Sequence, residues 1–282
     1  MIEISESQSP PKDYPQIIYK YRDWQIGYHR NILTHNQIFL ASPKDFNDPF
    51  DCRIPEDFLS LDTTKKRNQY ADQFVIRHFN DPEVKGREEY WLKEIPRRLE
   101  SDPQGMHDHM EKIQKEFQDK YYGIISFSCD WDNLLMWSHY GASHTGICIG
   151  FKEENLRNFG RFGGGGKVIC GEAFPRINPI RDVRNVEREV ITKVFEEIFT
   201  KAKNWKYENE YRIFKLLYPG IPSISDRIVE IPDEFYSEII LGLNFPPEEI
   251  KYMQNLSKQK NVPLYQLQKI PFEFKLNRIL IS

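Results

Sequence analysis

Strand-forming segments in this chain come in clusters rather than in alternation with helices, which argues against a doubly wound parallel sheet. β-Branched and aromatic runs occur at Ile17–Tyr21, Gln37–Leu40, Tyr121–Ser128, Gly146–Phe151, Lys167–Cys170 and Tyr211–Leu216. Three more follow at Glu238–Leu243, Leu264–Leu267 and near Glu273–Ile279. Between the second and third runs lie residues 57–120, with no strand signal. Their apolar residues recur at helical spacing, Tyr70, Phe74, Val75 and Phe79, then Tyr90, Trp91, Ile95 and Leu99. The pattern predicts an α+β fold. Its core is a mainly antiparallel sheet, continuous or split, with flanking helices and a helical insertion over about 57–120. Asp81-Pro82 and Ser101-Asp102-Pro103 read as breaks between the insertion's helices. Residues 1–16 read as a flexible tail before a single domain, 17–282.

Shorter helices are expected at Trp24–Leu33, Leu134–Tyr140 and Pro247–Gln259, and an amphipathic one from Val186 to Lys203. The four glycines 163–166 read as a flexible loop. They lack the strand–loop–helix setting of a dinucleotide or P-loop motif, so a Rossmann or P-loop reading is rejected.

The charge balance, 39 basic against 42 acidic residues for a net −3, is intermixed along the chain. Non-specific coating of nucleic acid needs a concentrated basic surface and is not expected. Cys52, Cys129, Cys148 and Cys170 are widely spaced, with no metal-ligand or disulfide signature. No apolar run approaches the ~18 residues of a membrane span, and the polar N-terminus lacks a signal-peptide pattern. A cytoplasmic protein with no membrane partner is the expectation. The 14% of aromatic residues suit an aromatic-rich core, with some rings left to line a groove.

Chemistry concentrates in Trp205-Lys206-Tyr207-Glu208-Asn209-Glu210-Tyr211-Arg212. Residues two apart on a strand share a face, so Glu208, Glu210 and Arg212 are expected to project together, the guanidinium offsetting two acids. Trp205, Tyr207 and Tyr211 flank them. An exposed strand face with self-neutralising charges explains the same spacing. Ser126 and Ser128 repeat it in an otherwise apolar strand, where hydroxyls can hold a backbone group or a ribose. Lys20 and Arg22 share a face of the first strand. Asn47-Asp48-Pro49-Phe50 is a turn with side-chain acceptors. Trp137, His139 and Tyr140 gather rings on a short helix. His139 and His144 are off the spacing of a helical metal pair, and no metal site is expected.

At these residues the chain resembles the family catalogued as domain of unknown function 2971, widespread in bacteria. The carriers are Lys20-Tyr21-Arg22, Ser42-Pro43-Lys44-Asp45-Phe46-Asn47-Asp48-Pro49-Phe50, Ser126-Phe127-Ser128, Met136 to Tyr140, and Trp205 to Arg212. More remotely, the order of motifs is similar to the ADP-ribosyltransferase superfamily. A basic residue stands on the first strand, a Ser-x-Ser strand follows, and a Glu-x-Glu comes late. That resemblance implies NAD as a substrate rather than a resident cofactor, with ADP-ribosyl transfer or NAD glycohydrolysis as the reaction. It also implies a toxin or anti-phage effector as the setting.

On that mapping Glu210 would bind the nicotinamide ribose and stabilise the oxocarbenium-like charge, a contribution of ~3 kcal/mol or more. Glu208 would orient or deprotonate the acceptor, Ser126 and Ser128 would brace Glu210 and the ribose, and Lys20 or Arg22 would hold the pyrophosphate or adenosine ribose. Tyr140 is a candidate for the superfamily's tyrosine step. Position 20 is Lys where many members have His. The acceptor, protein, nucleic acid or water, and the oligomeric state stay open. Two other readings remain: a magnesium nuclease using Asp48, Asp51, Glu208 and Glu210, and a non-catalytic groove for a nucleotide or peptide lined by Trp137, Tyr140, Trp205 and Tyr207.

Overall fold

The computed structural model describes residues 14–182 and 185–282, so most of the expected tail lies outside the described residues. The chain runs β1 (Ile17–Arg22), α1 (Gly27–Thr34), β2 (Gln37–Phe39), α2 (Thr64–Arg77), α3 (Glu88–Ser101), α4 (Pro103–Tyr121) and β3 (Tyr122–Ser128). It continues through α5 (Leu134–His139), β4 (Ile147–Lys152), α6 (Glu153–Arg157), β5 (Gly164–Lys167), β6 (Ile169–Gly171), α7 (Val186–Phe199), β7 (Thr200–Ala202) and β8 (Glu210–Leu216). The last elements are β9 (Ile228–Glu230), β10 (Tyr236–Leu241), α8 (Ile250–Lys260), β11 (Leu264–Lys269) and β12 (Leu276–Leu280).

Eight strands form one sheet in the order β12-β11-β10-β4-β1-β3-β8-β5. Every pairing in it is antiparallel except β10 with β11. Strand alternation sends Ile18, Ile149 and Ile239 to one face, where they meet Ile32 and Leu33 of α1 and Met253 and Leu256 of α8. Tyr19, Tyr21, Cys148 and Ile240 go to the other, against Met136 and Trp137 of α5. The fold is α+β, as the clustering of strands implies.

The middle of this sheet is nearly divided. All six residues of β1 pair with β4, and all seven of β3 pair with β8. Between β1 and β3 the register holds one pair, Tyr19 with Ser128. Further along β3, the chain that has left β2 takes the vacated edge: Ala41 and Ile124 exchange both backbone hydrogen bonds, at 2.8 and 2.9 Å. A lens-shaped opening is left in the sheet, closed by main-chain pairs at both ends.

The insertion is three helices with a small core of its own, Phe58, Leu61, Tyr70, Ala71, Ile95 and Leu99. Thr63 and Asp102 cap α2 and α4 by accepting from Lys66 N and Gly105 N, and Pro103 sits at the first position of α4. Buried polar groups tie it to α7. Gln114 donates to Glu197 at 2.6 Å, and Lys193 lies 2.8 Å from Glu56.

Two local expectations are corrected. The glycine run is not a loop, because Gly164–Lys167 forms the edge strand β5 against β8. Its glycines leave room for rings: a Cβ at Gly163 would stand 3.2 Å from Phe214, and one at Gly165 would stand 2.8 Å from Tyr211 Oη. Helix α7 ends at Phe199 rather than Lys203. The carbonyl of Ile198, which an amide at 202 would need to prolong the helix, accepts instead from Arg212 Nη1 at 2.6 Å. Thr200–Ala202 then pairs in parallel with β6. The short strand β2 pairs with β9 in a separate two-stranded sheet.

Candidate active-site cleft

The opening between β1 and β3 continues into a cleft of about 320 Å³. Lys20 and Arg22 of β1, Ser126 and Ser128 of β3, Asn47, Tyr140, Glu208 and Glu210 all line it. Residues up to 190 positions apart in sequence thus meet at one place. Asp51, Lys201, Tyr21, Phe39 and Phe46 complete much of its wall.

Glu210 and Arg212 do share a strand face, as two-residue spacing requires. Glu208 reaches the same place by another route. It ends a single 3-10 segment, Lys203–Glu208, and Asn209 then adopts the left-handed conformation (φ 42°, ψ 52°) before β8 begins. Asn tolerates that conformation better than most residues, which makes the turn affordable here. Ser128 Oγ donates to the Glu208 carbonyl at 2.7 Å and pins the turn to β3. Asn133, whose Oδ1 caps α5, donates through Nδ2 to the carbonyl of Tyr207 at 2.5 Å.

The charges then interlock. Arg212, fully buried, donates Nε to Glu210 Oε1 at 2.6 Å and Nη2 to Glu210 Oε2 at 3.1 Å. Its Nη1 and Nη2 also grip Asp51 Oδ1 and Oδ2 at 2.8 and 2.6 Å. Lys201 Nζ donates to Glu208 Oε2 at 2.6 Å and Glu210 Oε2 at 2.9 Å, with Asp51 Oδ2 at 3.5 Å. Tyr140 donates to Glu208 Oε1 at 2.6 Å and receives a long hydrogen bond, 3.4 Å, from Asn47. Burial works to raise the pKa of Glu210, but the Arg212 and Lys201 cations outweigh it and bring it down to about 2. Glu210 is therefore a fixed anion at any physiological pH.

The first strand carries cations of a different kind. Lys20 donates to the Ser126 carbonyl across the opening. Arg22 has no ion-pair or hydrogen-bond partner among the described residues. Burial lowers its pKa to about 10, leaving it charged at neutral pH. Burial, followed by the neighbouring Arg22 charge, pulls Lys20 well below the usual ammonium range. Neither side chain forms an ion pair among the described residues, and a standing cation, Arg22, beside an amine that an incoming anion would help to protonate forms a place for anionic groups.

Other expected site residues stand back from the cleft. Trp137 is a fully buried core residue that packs edge-on against Tyr21, so it lines no groove. His139 is exposed and lies beside the ring of Tyr207. Asp48 is buried with Oδ1 accepting from Phe50 N, the Asx-type turn that its setting suggests. Trp205 supports the site from outside, its ring 4.9 Å from Lys201 Nζ. For a hard cation the carboxylates are poorly disposed. Asp48 points elsewhere, and the oxygens of Asp51, Glu208 and Glu210 already serve Arg212, Lys201 and Tyr140. No group of three or more potential ligands among the described residues is placed to hold a metal.

Lys201 is the residue that sequence reasoning missed. It falls inside the stretch Val186 to Lys203 expected as one amphipathic helix, whereas the structure places it in β7. Asp51 entered only as a metal ligand, and its partner is in fact a guanidinium.

Fold and cleft together define an α+β protein with a charged pocket at the parting of its central sheet. Residues 136–213 match the model of a family described as a protein of unknown function, DUF2971. That segment runs from α5 into β8 and includes Tyr140, Lys201, Glu208, Glu210 and Arg212. The chain matches no curated protein and no solved structure. Among the described residues no helix is long and apolar enough to cross a membrane.

Proposed function

We propose that the cleft binds NAD and that the protein transfers ADP-ribose from it, to a macromolecular acceptor or to water. The observation that carries this reading is the meeting, in one opening of the sheet, of the β1 cations, the β3 hydroxyls and the two carboxylates that lead into β8. A diphosphate carries two negative charges; Arg22 offers a cation with no ion-pair partner among the described residues, and Lys20 an amine that the diphosphate would favour in its protonated form. The acids lie farther along, where a sugar joined to that diphosphate would reach.

The step is a displacement at the ribose attached to nicotinamide. The bond from C1′ to the nicotinamide nitrogen breaks, its electron pair leaves with nicotinamide, and positive charge develops on the sugar. The acceptor's lone pair forms the new bond to C1′, and the acceptor's proton passes to Glu208. Three carboxylates (Asp51, Glu208, Glu210) face two cations (Lys201, Arg212), so the cluster keeps one net negative charge toward the developing cation. Because its members are held in place, little reorganisation is needed as the charge appears. The same order of strand motifs in the ADP-ribosyltransferase superfamily supports the reading, as does the partition of the sheet.

The test is release of nicotinamide from NAD by the full chain, followed by chromatography. Glu210→Gln keeps size and a hydrogen-bond acceptor but removes the charge. It is expected to lose about 100-fold or more in turnover, with its circular dichroism unchanged. A fully active Glu210→Gln protein, or a wild-type protein that releases no nicotinamide with or without protein and nucleic-acid acceptors, overturns the proposal.

A further inference from the structure

Lys201 is the one cation, among the described residues, that touches both glutamates of the cleft. Arg212 serves Glu210 and Asp51 but donates nothing to Glu208. The lysine is 5% exposed at its side chain, and its backbone is fixed by the parallel pairing of β7 with β6, where it stands opposite Cys170. Burial alone would lower its pKa, but Glu210, Asp51 and Glu208 outweigh that and raise it above the usual ammonium range. Lys201 also lines a second groove, of about 240 Å³, whose rim carries the exposed rings of Phe50 and Phe174. Its side chain therefore borders both spaces.

We infer that Lys201 is a positioning residue for the transfer reaction, bridging Glu208 and Glu210 so that two mutually repelling carboxylates keep one separation and one aim. This rests on the reading of the cleft as an ADP-ribosyl transfer site. Without Lys201 three buried acids would share one guanidinium, and like charges so close do not all stay ionised. The groups facing the cluster are Arg212 from β8, Lys20 and Arg22 from β1, Cys52 from the turn after β2, Tyr140 from the end of α5, Cys170 from β6 and Tyr207 from the segment before β8. Burial raises the pKa of Tyr140, Cys52, Cys170 and Tyr207, so all four are neutral at neutral pH, while Lys20 is engaged by the Ser126 carbonyl and Arg22 lines the cleft. The cluster would take up a proton, and Glu208, left with Tyr140 alone, would turn from its position. Lys201 touches no reacting atom in this scheme. Its work is done through the two acids.

The test compares wild type with Lys201→Met, Lys201→Arg and Lys201→Ala. In the Met variant kcat for nicotinamide release is expected to fall about 100-fold, the scale of a misplaced catalytic group. KM for NAD should change little, because Lys20 and Arg22 are untouched. The acid limb of its pH–rate profile should move to higher pH and return in Lys201→Arg. Ethylamine, admitted through the adjoining groove, should restore part of the turnover of Lys201→Ala. Wild-type kcat and an unmoved acid limb in a folded Met variant overturn the inference. Lys201→Gln serves the same comparison where the Met variant does not fold.

A separate measurement separates this failure from failure of the transfer reading. Carboxyl carbon resonances of labelled glutamate report ionisation without turnover. One additional proton on the cluster of the Met variant between about pH 5 and 8 supports the bridging role, even if wild type releases no nicotinamide. Carboxyl resonances identical to wild type across that range reject it.

Discussion

Arg212 and Asp51, 161 residues apart, form a two-pronged ion pair with no exposure of the guanidinium. It fastens the turn after β2 to the strand that carries Glu210. Removing one partner of such a pair leaves buried charge behind. Arg212→Met is therefore expected to destabilise the protein by about 3–5 kcal/mol, read as a fall in the urea midpoint. A loss under about 1 kcal/mol would show that the cluster relaxes or hydrates freely, contrary to this packing.

Arg22 poses the opposite case. No acid depends on it, so its removal orphans nothing. Arg22→Met is expected to keep or raise the melting temperature. Affinity for ADP, which carries the diphosphate without the scissile bond, should weaken by roughly 10- to 100-fold, the value of one or two charge-assisted hydrogen bonds. Calorimetric titration with ADP measures it. Unchanged affinity would remove β1 from the anion site.

The depressed pKa of Glu210 gives stability its own pH dependence. The carboxyl titrates near 2 in the folded protein against an ordinary 4.5. Its contribution is complete above the ordinary value and drains away as pH falls from there toward 2. At about 1.4 kcal/mol per unit the loss is on the order of 3 kcal/mol. Urea midpoints measured from pH 6 downward should fall more steeply for wild type than for Glu210→Gln. Parallel curves would mean that Glu210 is not held by its cations.

The strand clusters carried the fold class, because alternation of apolar residues survives whatever the tertiary setting. The helical insertion was legible for the same reason. Boundaries failed where a distant side chain competed for a backbone group, as Arg212 does at Ile198. The glycine run failed because its reason lies in the rings of Phe214 and Tyr211, not in the glycines. In the site, Glu210, Ser126, Ser128, Lys20 and Arg22 were readable from two-residue spacing. Lys201 was not. Its role is set by the three acids around it, and no spacing rule links position 201 to position 51. Strand spacing predicts the location of Glu208 but not its cause, since a left-handed asparagine rather than strand alternation brings it back.

The opening in the sheet also works as a ruler. Its ends are main-chain pairs, Tyr19 with Ser128 and Ala41 with Ile124, so its length is set by backbone geometry and not by mobile side chains. From Ser128 to Ile124 is four residues of strand, roughly 13 Å at the usual rise. Glu210 pairs with Ser128 at the end where β1 and β3 meet, and Arg22 stands three residues along β1 from Tyr19 at that same end, so the backbone sets these two groups roughly 10 Å apart along the strands. That spacing is written into the register of two strands, ahead of any contact chemistry.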